Sequence, residues 1–568
     1  MNRFVAVCVF LVLASTLAAF GAAVPVLADK TDPGSANGPA LMAVNGPTPN
    51  PFLAAPLYAI THFDPSASDS IPYGPPSGVF VVDPGNQAVC PGGPTSIMTL
   101  ASKDPNYMWQ VSSDRVAYVR KEGGKWFTAA KFEALANASG GVYPAIPDAT
   151  FRAFGEASAV GKTVSSMDSY LKGLFGDNYA GRFGQGVYTL VDNRNVLYAN
   201  YFGNLYGFAL NDQADPGAGI TVACELSNVV SAIEGPSASA ILVGLSMTYD
   251  GNLIVTFTNG VAVIDRDLTL GVKSFYPFGP GEMVTNSLSV DENNGIYVAS
   301  NLLMRKLVWT GTTLSDAASD GAWSNAYDNS GSALPPVIKA MNGTGSTPTL
   351  MGFENDLDKL VVITDGAKQM KLVAFWRDAI PQGFTGRIAG QIQVTCGFDP
   401  LPEWIQSEQS VVVEGYGAFV VNNIPREVPA ELTAAPRLLQ VSLMGPAYTG
   451  SYGVERFQWD PVTHNWSSAW ARPDVSSTSM VPIHSESGKV ALINGYRPDR
   501  GWEVLGMDWD TGKTVHQTIF GHKNFGNGAY ALLQYLENED LVFNSIAGPF
   551  RVHYNRGLGC EMHLLLLD

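Results

Sequence analysis

The sequence predicts an all-β fold, a β-propeller of seven or eight four-stranded blades with a small helical insertion. Short apolar runs alternate with Gly, Asn and Asp turns, which is the pattern of β-strands joined by tight turns. The same strand–turn–strand unit recurs every few tens of residues, as propeller blades require. The clearest copies begin at Val187, Leu245, Asn286, Thr347, Ser479 and Tyr530.

The second strand of each regular unit is strongly apolar, and counting these strands gives the number of blades. They are predicted to begin near residues 196, 253, 295, 360, 418, 490 and 541. An irregular first unit precedes them, with strands near 78–82, 107–110, 115–120 and 125–129. If that unit is a blade, the ring has eight blades; if it only completes the last blade, the ring has seven.

The amino-terminal part of the chain differs from the blades in composition. Residues 1–28 are interpreted as a secretory signal peptide, because Arg3 is the only charged side chain and Val26-Leu27-Ala28 fits a cleavage site. The mature protein is therefore expected to be secreted or periplasmic, with an uncleaved membrane anchor as the alternative. Residues 29–75 are interpreted as an extended arm whose end docks at the rim of the ring.

The propeller itself is expected to occupy residues 76–568. Residues 128–177 interrupt the strand pattern with helical spacing of apolar residues, in TAAKFEALAN and SSMDSYLKGLFG. They predict a helical insertion over one face of the ring, either as a specificity loop or as packing alone.

The charge balance bears on the partners of the protein. Lys and Arg number 34 against 51 Asp and Glu, for a formal net charge of −17. Nucleic acid is therefore excluded as a partner, since phosphate binding requires clustered basic residues. A small-molecule substrate or ligand is expected, no membrane span is expected after signal cleavage, and a protein partner is left open.

Four cysteines follow the signal peptide, an even number that is typical of disulfides in an oxidising compartment. Three pairings are possible. Because the ends of a closed ring meet, Cys90–Cys560 with Cys224–Cys396 is preferred. The alternative is four buried free thiols.

Residues that precede inner strands are expected to face the mouth of the central channel. Asn286, Glu414 and Asn527 are predicted to hold a divalent cation such as Ca²⁺, which takes six to eight oxygen ligands. The alternative is that these polar side chains only cap the strand ends.

Histidines supply the candidates for proton transfer, and six of the seven lie after residue 460. His522, in the loop before an inner strand, and His484, in a turn after one, are the predicted catalytic residues. The seventh, His62, lies on the arm. The sequence contains no G-x-S-x-G nucleophile motif.

Two short phrases resemble known propeller families. NSLSVDENNGIYVAS, from Asn286, resembles a phrase of the SMP-30/gluconolactonase and strictosidine-synthase-like propellers, with Ser287 where that family has Gly. The resemblance implies that Asn286 helps to hold a divalent cation in the channel. MDWDTGKTVHQ, from Met507, is similar to the repeat of quinoprotein-like propellers, without its closing Trp.

The leading functional hypothesis is an exported small-molecule enzyme with its site at the channel mouth. The reaction expected is metal-assisted hydrolysis of a lactone or ester, with His522 as proton carrier. One alternative is a binding propeller without catalysis, for which Trp404, Trp466 and Trp470 are the candidate exposed patch. Another is a propeller subunit of a periplasmic oxidoreductase.

Overall fold

The computed structural model describes residues 46–554 except 96, 135–138, 141–142, 236–239, 331–333 and 340. The predicted signal peptide, the first part of the predicted arm, Cys560 and His563 lie outside the described residues. No helix in the described ranges is both long enough and apolar enough to cross a membrane.

Eight antiparallel sheets follow one another along the chain as the blades of a propeller, seven with at least four strands and the last with three. The strand numbers below are the sequence order, and in each blade the first strand faces the channel.

Blades 1 to 4 have these strands: β3 Met98–Ala101, β4 Tyr107–Val111, β5 Val116–Arg120 and β6 Phe127–Phe132; β7 Leu190–Val191, β8 Leu197–Tyr201, β9 Asn204–Leu210 and β10 Ile220–Leu226; β11 Leu242–Met247, β12 Leu253–Phe257, β13 Gly260–Ile264 and β14 Lys273–Pro277; β15 Ser289–Val290, β16 Gly295–Ala299, β17 Leu303–Trp309, β18 Leu314–Ser315 and β19 Trp323–Ala326.

Blades 5 to 8 have these strands: β20 Thr349–Met351, β21 Leu360–Thr364, β22 Lys371–Trp376 and β23 Ile388–Gln393; β24 Val412–Glu414, β25 Gly417–Val421, β26 Ser451–Asp460 and β27 Asn465–Ser477; β28 Ile483–Ser485, β29 Val490–Arg497, β30 Gly501–Asp508 and β31 Thr514–Gly521; β32 Leu533–Tyr535, β33 Leu541–Ser545 and β34 Gly548–Val552.

The second strands form the apolar layer between neighbouring blades. Every residue of β12, β16, β21, β25 and β33 is buried. The outer strand β14, in contrast, has no buried residue. Continuous apolar runs are therefore second strands with both faces covered, and mixed runs are outer strands with one edge in solvent.

The ring closes where its ends meet. Val89 bridges Phe550 of β34, and the amide of Cys90 donates to the carbonyl of Pro549 at 2.9 Å. On the channel side, the amide of Gln534 donates to the carbonyl of Thr99 at 2.7 Å. Strands β3 to β6 thus form a complete first blade, so the ring has eight blades, and the segment around Val89 supplies the missing edge of blade 8. The predicted first-unit strand near 78–82 does not belong to that blade: Gly78–Val81 forms β2, which pairs in parallel with β31 of blade 7.

The helices lie in segments between strands. They are α1 Asp148–Glu156, α2 Val164–Phe175, α3 Tyr179–Arg182, α4 Val229–Glu234, α5 Ala430–Thr433 and α6 Arg437–Leu443. The predicted helix in SSMDSYLKGLFG is confirmed as α2, which begins with a capping box between Thr163 and Ser166. The predicted helical start of the insertion is wrong: residues 127–132 form β6, because they pair with β5 to complete blade 1.

The amino-terminal arm, here residues 50–73, is inserted into the channel rather than docked at its rim. It runs up one wall, where the amide of Val191 donates to the carbonyl of Ala59 at 2.7 Å. It turns at Thr61–His62 and returns along another wall as β1 (Ser70–Ile71), which pairs in parallel with β28. The arm is therefore a loop with its tip inside the ring.

This arm is hydrogen-bonded to the inner strand of every blade. From blade 1 to blade 8, the partners on the ring are Ala101, Val191, Met247, Val290, Leu350, Val413, His484 and Tyr535. The inner edge of each first strand leaves polar backbone groups facing the channel, and burying them unpaired would be costly. The arm satisfies these groups, so it is an integral part of the propeller.

Candidate functional site

A cavity of about 490 Å³ lies on the propeller axis at the channel mouth. Its walls come from the segments just before the inner strands, including Thr95, Tyr188, Asn286, Thr347 and Gln409. Thr61 and His62, at the tip of the arm, belong to the same cavity. Its volume is in the range of small-molecule sites.

Two insertions cover this cavity. Ala180 and Phe183 contribute from the segment that follows blade 1, and Pro436, Arg437 and Leu438 from the segment between β25 and β26. The insertions contact each other, since the amide of Val164 donates to the Tyr448 hydroxyl at 3.2 Å. The exposed residues Ile241 and Arg437 mark the side that is open to solvent.

A buried histidine–carboxylate pair lies at the arm tip. His62 Nδ1 is 2.9 Å and 3.0 Å from the two carboxylate oxygens of Asp69. This contact places a proton on Nδ1 and, in the neutral ring, a lone pair on Nε2. Within the described residues, His62 Nε2 is buried and has no hydrogen-bond partner. Such an imidazole, oriented by a carboxylate, has the arrangement of a general base.

Burial and pairing act against each other on Asp69, which is fully buried. Burial raises the pKa of Asp69, while the charge of His62 and its hydrogen bond oppose that rise. The loop between the two residues is held by Asp64, whose carboxylate accepts from the amide of Ser66 at 2.7 Å and from the Ser68 hydroxyl. This local loop brings His62 and Asp69 together.

The cavity also contains backbone that L-residues rarely adopt. His62, Tyr188 and Tyr530 have φ angles of 67°, 55° and 54°. Left-handed backbone at bulky residues costs free energy and persists where surrounding contacts enforce it, as it often does at functional sites. Three such residues at one cavity support its assignment as the candidate site.

Tyr188 supplies a neutral donor near His62. Their ring centroids are 6.0 Å apart, and the Tyr188 hydroxyl is 3.4 Å from Asn286 Oδ1. Burial raises the pKa of Tyr188 to about 12, so the phenol keeps its proton near neutral pH. It can therefore donate to an oxygen that becomes negative during a reaction.

The predicted site residues fall in different places. Asn286 lines the cavity, and its side-chain amide donates to the carbonyl of Gly345 at 2.5 Å. The prediction that Glu414 precedes an inner strand is wrong, because Glu414 ends β24. The residues that do precede β24 and line the cavity are Glu408, Gln409 and Ser410.

Glu414 and His484 lie together, at the other end of the inner strands. The Ser70 hydroxyl donates to Glu414 Oε2 at 2.9 Å and lies 2.9 Å from His484 Nδ1. His484 is within β28 rather than in a turn, and its ring packs 4.4 Å from that of Trp509. These contacts tie the descending arm to blades 6 and 7.

Asn527 and His522 each have other partners. The amide of Asn527 donates to the carbonyl of Val441 at 2.9 Å, joining blade 8 to α6. His522 is exposed, and its Nδ1 is 2.8 Å from the Tyr496 hydroxyl. Neither residue lines the cavity.

The three predicted cation ligands therefore share no contact and do not form one coordination sphere. Across the described ranges, no three His, Cys, Asp or Glu side chains group closely enough to hold a metal ion.

The preferred disulfide between Cys224 and Cys396 is not formed. Both are free thiols; Cys224 lies in β10 of blade 2, and Cys396 follows β23 of blade 5. They are on blades that are not neighbours, which keeps them apart. Cys90 is buried at the seam of the ring, and its predicted partner Cys560 lies outside the described residues.

The predicted patch of exposed tryptophans is also absent. Trp404, Trp466 and Trp470 are all half-buried. Lys368 covers Trp404, and the indole of Trp470 donates to the carbonyl of Trp509 at 2.8 Å. Each indole is therefore partly covered, and the indole of Trp470 joins blade 6 to Trp509 at the end of β30 in blade 7.

Sequence reasoning missed His62 and Asp69 because they lie before the first blade. The available signal was the aromatic content of the segment 56–75, which contains Tyr58, Phe63 and Tyr73, whereas the rest of the arm contains only Phe52. A histidine and two aspartates within a buried segment would have marked it as more than a linker.

The fold and the cavity define the class of this protein as an eight-bladed β-propeller with a small-molecule-sized site on its axis. No family model matches the chain. It is 31% identical over 343 residues to an uncharacterized protein of Archaeoglobus fulgidus, covering 58% of this chain. The chain spans 62% of the length of that relative.

Solved propellers are similar to the chain at low identity. They include the quinohemoprotein alcohol dehydrogenase of Comamonas testosteroni, with a TM-score of 0.46 and 11% identity over 91% of this chain and 81% of that one. A candidate 6-phosphogluconolactonase of Bacteroides fragilis has a TM-score of 0.37 and 10% identity, covering 77% and 99%.

Proposed function

We propose that this protein is a small-molecule enzyme whose active site is the axial cavity, and that it hydrolyses an ester or lactone with His62 as general base. The observation that carries the proposal is the buried His62–Asp69 pair beside a cavity of about 490 Å³. A catalytic base needs an available lone pair, a fixed tautomer and a neighbouring space for substrate. His62 meets the first two conditions, and the cavity meets the third.

The chemical step follows from the geometry at His62. Nε2 removes a proton from a water molecule, and the resulting hydroxide attacks the substrate carbonyl carbon. Asp69 stabilises the imidazolium that forms, and the Tyr188 hydroxyl donates to the carbonyl oxygen as it becomes negative. The C–O bond of the leaving group then breaks, and the imidazolium returns its proton to the leaving oxygen.

A divalent cation, as the SMP-30-like resemblance implies, remains a separate proposal. Of the three predicted ligands, Asn286 lines the cavity, whereas Glu414 and Asn527 are bound elsewhere. No step above passes through a cation. Elemental analysis of the dialysed protein tests the cation proposal. About one divalent ion per chain would support it, and an active protein without metal would contradict it.

The experiment that tests the function is a screen of the purified protein on a panel of aryl esters and lactones, with His62→Asn in parallel. Asn at this position keeps an N–H donor for Asp69 but has no basic nitrogen. Turnover by the wild type that His62→Asn loses supports the proposal. No turnover on any ester or lactone, or equal turnover by both proteins, contradicts it.

A binding propeller without catalysis is the second candidate. The exposed tryptophan patch expected for it is not formed, and the cavity is the feature that a ligand would use instead. Ligand binding to the cavity that is unchanged in His62→Asn, with no turnover, would favour this candidate.

A further inference from the structure

Besides His62, the cavity lining contains two charged side chains, one cationic and one anionic. Among the lining residues, Arg437 is the only lysine or arginine and Glu408 the only carboxylate. Both act on Tyr530, whose pKa burial raises: the charge of Glu408 adds to that rise, while the charge of Arg437 and its hydrogen bond to the phenol oppose it. Glu408, Arg437 and Tyr530 therefore lie close together on one side of the cavity.

The charge of Glu408 is offset from behind the cavity wall. Lys339 is buried there and donates to the side-chain oxygen of Gln406 at 2.8 Å. Burial lowers the pKa of Lys339 to about 8, and the negative charges of Glu408 and Asp365 oppose that fall. Near neutral pH, Lys339 is therefore mostly a cation close to Glu408. With Asp365 counted as well, two positive and two negative charges balance in this region, and Arg437 is the one cation among them that lines the cavity.

Arg437 is also placed to meet a ligand. It is the first residue of α6, it is exposed, and it lines the open side of the cavity. A guanidinium has five N–H donors in a planar fork, which matches a carboxylate with two parallel hydrogen bonds. The remainder of the lining is neutral, with apolar side chains such as Leu242, Val243 and Leu438 and amides such as Gln409.

We infer that the substrate is a carboxylate-bearing small molecule with a largely apolar body, whose carboxylate binds Arg437 while its reacting carbonyl lies at His62. This inference rests on the proposed function for the identity of the reacting group. Recognition of the carboxylate requires only the cavity, so the two can be tested separately.

Binding is tested with three probes that share one body and differ in charge: 3-phenylpropanoate, 3-phenylpropanol and 3-phenylpropylammonium. Calorimetric titration of the whole protein at neutral pH and low salt gives the dissociation constants. We expect the carboxylate to bind about tenfold or more tightly than the alcohol, as charge-assisted bidentate pairs do, and the ammonium to bind most weakly. Equal binding of the three, or preference for the ammonium, overturns the inference.

Variants assign the effect to the residue. Arg437→Gln should remove the preference for the carboxylate, and Arg437→Lys should keep part of it. Arg426→Gln is the matched control, because Arg426 is exposed on the same insertion but stacks on Phe398 outside the cavity. A preference that survives Arg437→Gln, or that Arg426→Gln removes equally, also overturns the inference.

The catalytic proposal and the carboxylate-binding proposal can fail separately. His62→Asn should keep the carboxylate preference in binding while losing ester turnover. Loss of turnover without a carboxylate preference leaves the enzyme proposal standing and overturns only the role of Arg437. A carboxylate preference without turnover by the wild type supports Arg437 and contradicts the enzyme proposal.

Discussion

Two histidines lie near opposite ends of the inner strands: His62 is part of the arm, and His484 contacts the arm from blade 7. The contrast between them shows that the surroundings of a histidine–carboxylate pair decide its role. His62 is paired with Asp69 inside the arm, is buried, and lines the cavity. His484 belongs to the ring, contacts Ser70 of the arm, and lies 3.5 Å from Glu414, a carboxylate that is partly exposed. The first pair faces space for a substrate, whereas the second fastens the arm to two blades.

The difference lies in the wall that each pair adjoins. At His62, the segments before the inner strands and the two insertions surround a cavity. At His484, the ring packs against Trp509, and the hydroxyl of Ser70 bridges histidine and carboxylate. A histidine beside a carboxylate is therefore a candidate base only where substrate can approach.

The largest expected effect separates the two pairs directly. Replacing His62 by Asn should lower kcat for the best ester or lactone roughly 100-fold or more, because a general base contributes about that much. Replacing His484 by Asn should leave kcat unchanged in the folded protein. Steady-state kinetics on both variants measures this difference in kcat, and an equal loss of kcat in the two variants would contradict the assignment.

A third histidine, His516, is hydrogen-bonded to the segment that follows the arm. His516 Nδ1 donates to the carbonyl of Pro76 at 2.7 Å, and burial lowers its pKa to about 4. Between pH 4 and its ordinary pKa of about 6.5, only the unfolded chain binds this proton, so stability rises with pH. The contribution, about 3 kcal/mol, is present above pH 6.5 and is lost as pH falls to 4.

Urea unfolding of wild type and His516→Gln from pH 4 to 7 measures this difference. The comparison is needed because Asp365, whose pKa burial raises to about 6, gives the opposite slope over part of this range. The exposed His522, replaced by Gln, is the control. If the free energies of unfolding of wild type and His516→Gln change with pH in parallel, unfolding does not change the protonation of His516.

A smaller effect tests the cavity wall at Gly345, beside Glu408. A Cβ at Gly345 would lie 2.2 Å from the carbonyl oxygen of Ser407 and 2.8 Å from Glu408 Oε2. Gly345→Ala should therefore displace the wall and lower kcat/KM about tenfold, since sub-ångström misplacement of a site is costly. Gly386→Ala, which meets open space, should change nothing. Equal kinetics for both variants would mean that this wall does not contact the substrate.

The smallest effect tests the anchoring role of the second pair. Glu414→Gln weakens the hydrogen bond from Ser70 and removes the charge beside His484. Because Glu414 is partly exposed, the free energy of unfolding should fall by only about 1 kcal/mol. Glu403→Gln, in a surface pair with Lys368, should have less effect. A loss of kcat in Glu414→Gln without a loss of stability would reverse the two roles.

The regular strands were predictable because their signal is local. Second strands predicted near 253, 295, 360, 490 and 541 begin at those residues, and those predicted near 196 and 418 begin at Leu197 and Gly417. A strand buried on both faces must be continuously apolar, and a tight turn must contain residues such as Gly or Asn. Both requirements can be read from a few neighbouring residues.

The candidate site was only partly predictable. Asn286 was correctly expected at the channel mouth, because it precedes β15. Glu414 was misplaced because the inner strand of blade 6 is only three residues long and gives little signal of where it begins. His62 and Asp69 were missed because nothing in the arm's local pattern shows that it enters the ring.

The sequence by itself determined the blades, since strand burial and turn chemistry are properties of short segments. Only the tertiary structure decided that the arm fills the channel, because that depends on unpaired backbone groups of all eight inner strands meeting on one axis. It also decided the position of the cavity, which exists because two insertions far apart in sequence meet over the arm tip. Local chemistry specified the ring, whereas long-range contacts of the arm and the two insertions created the site.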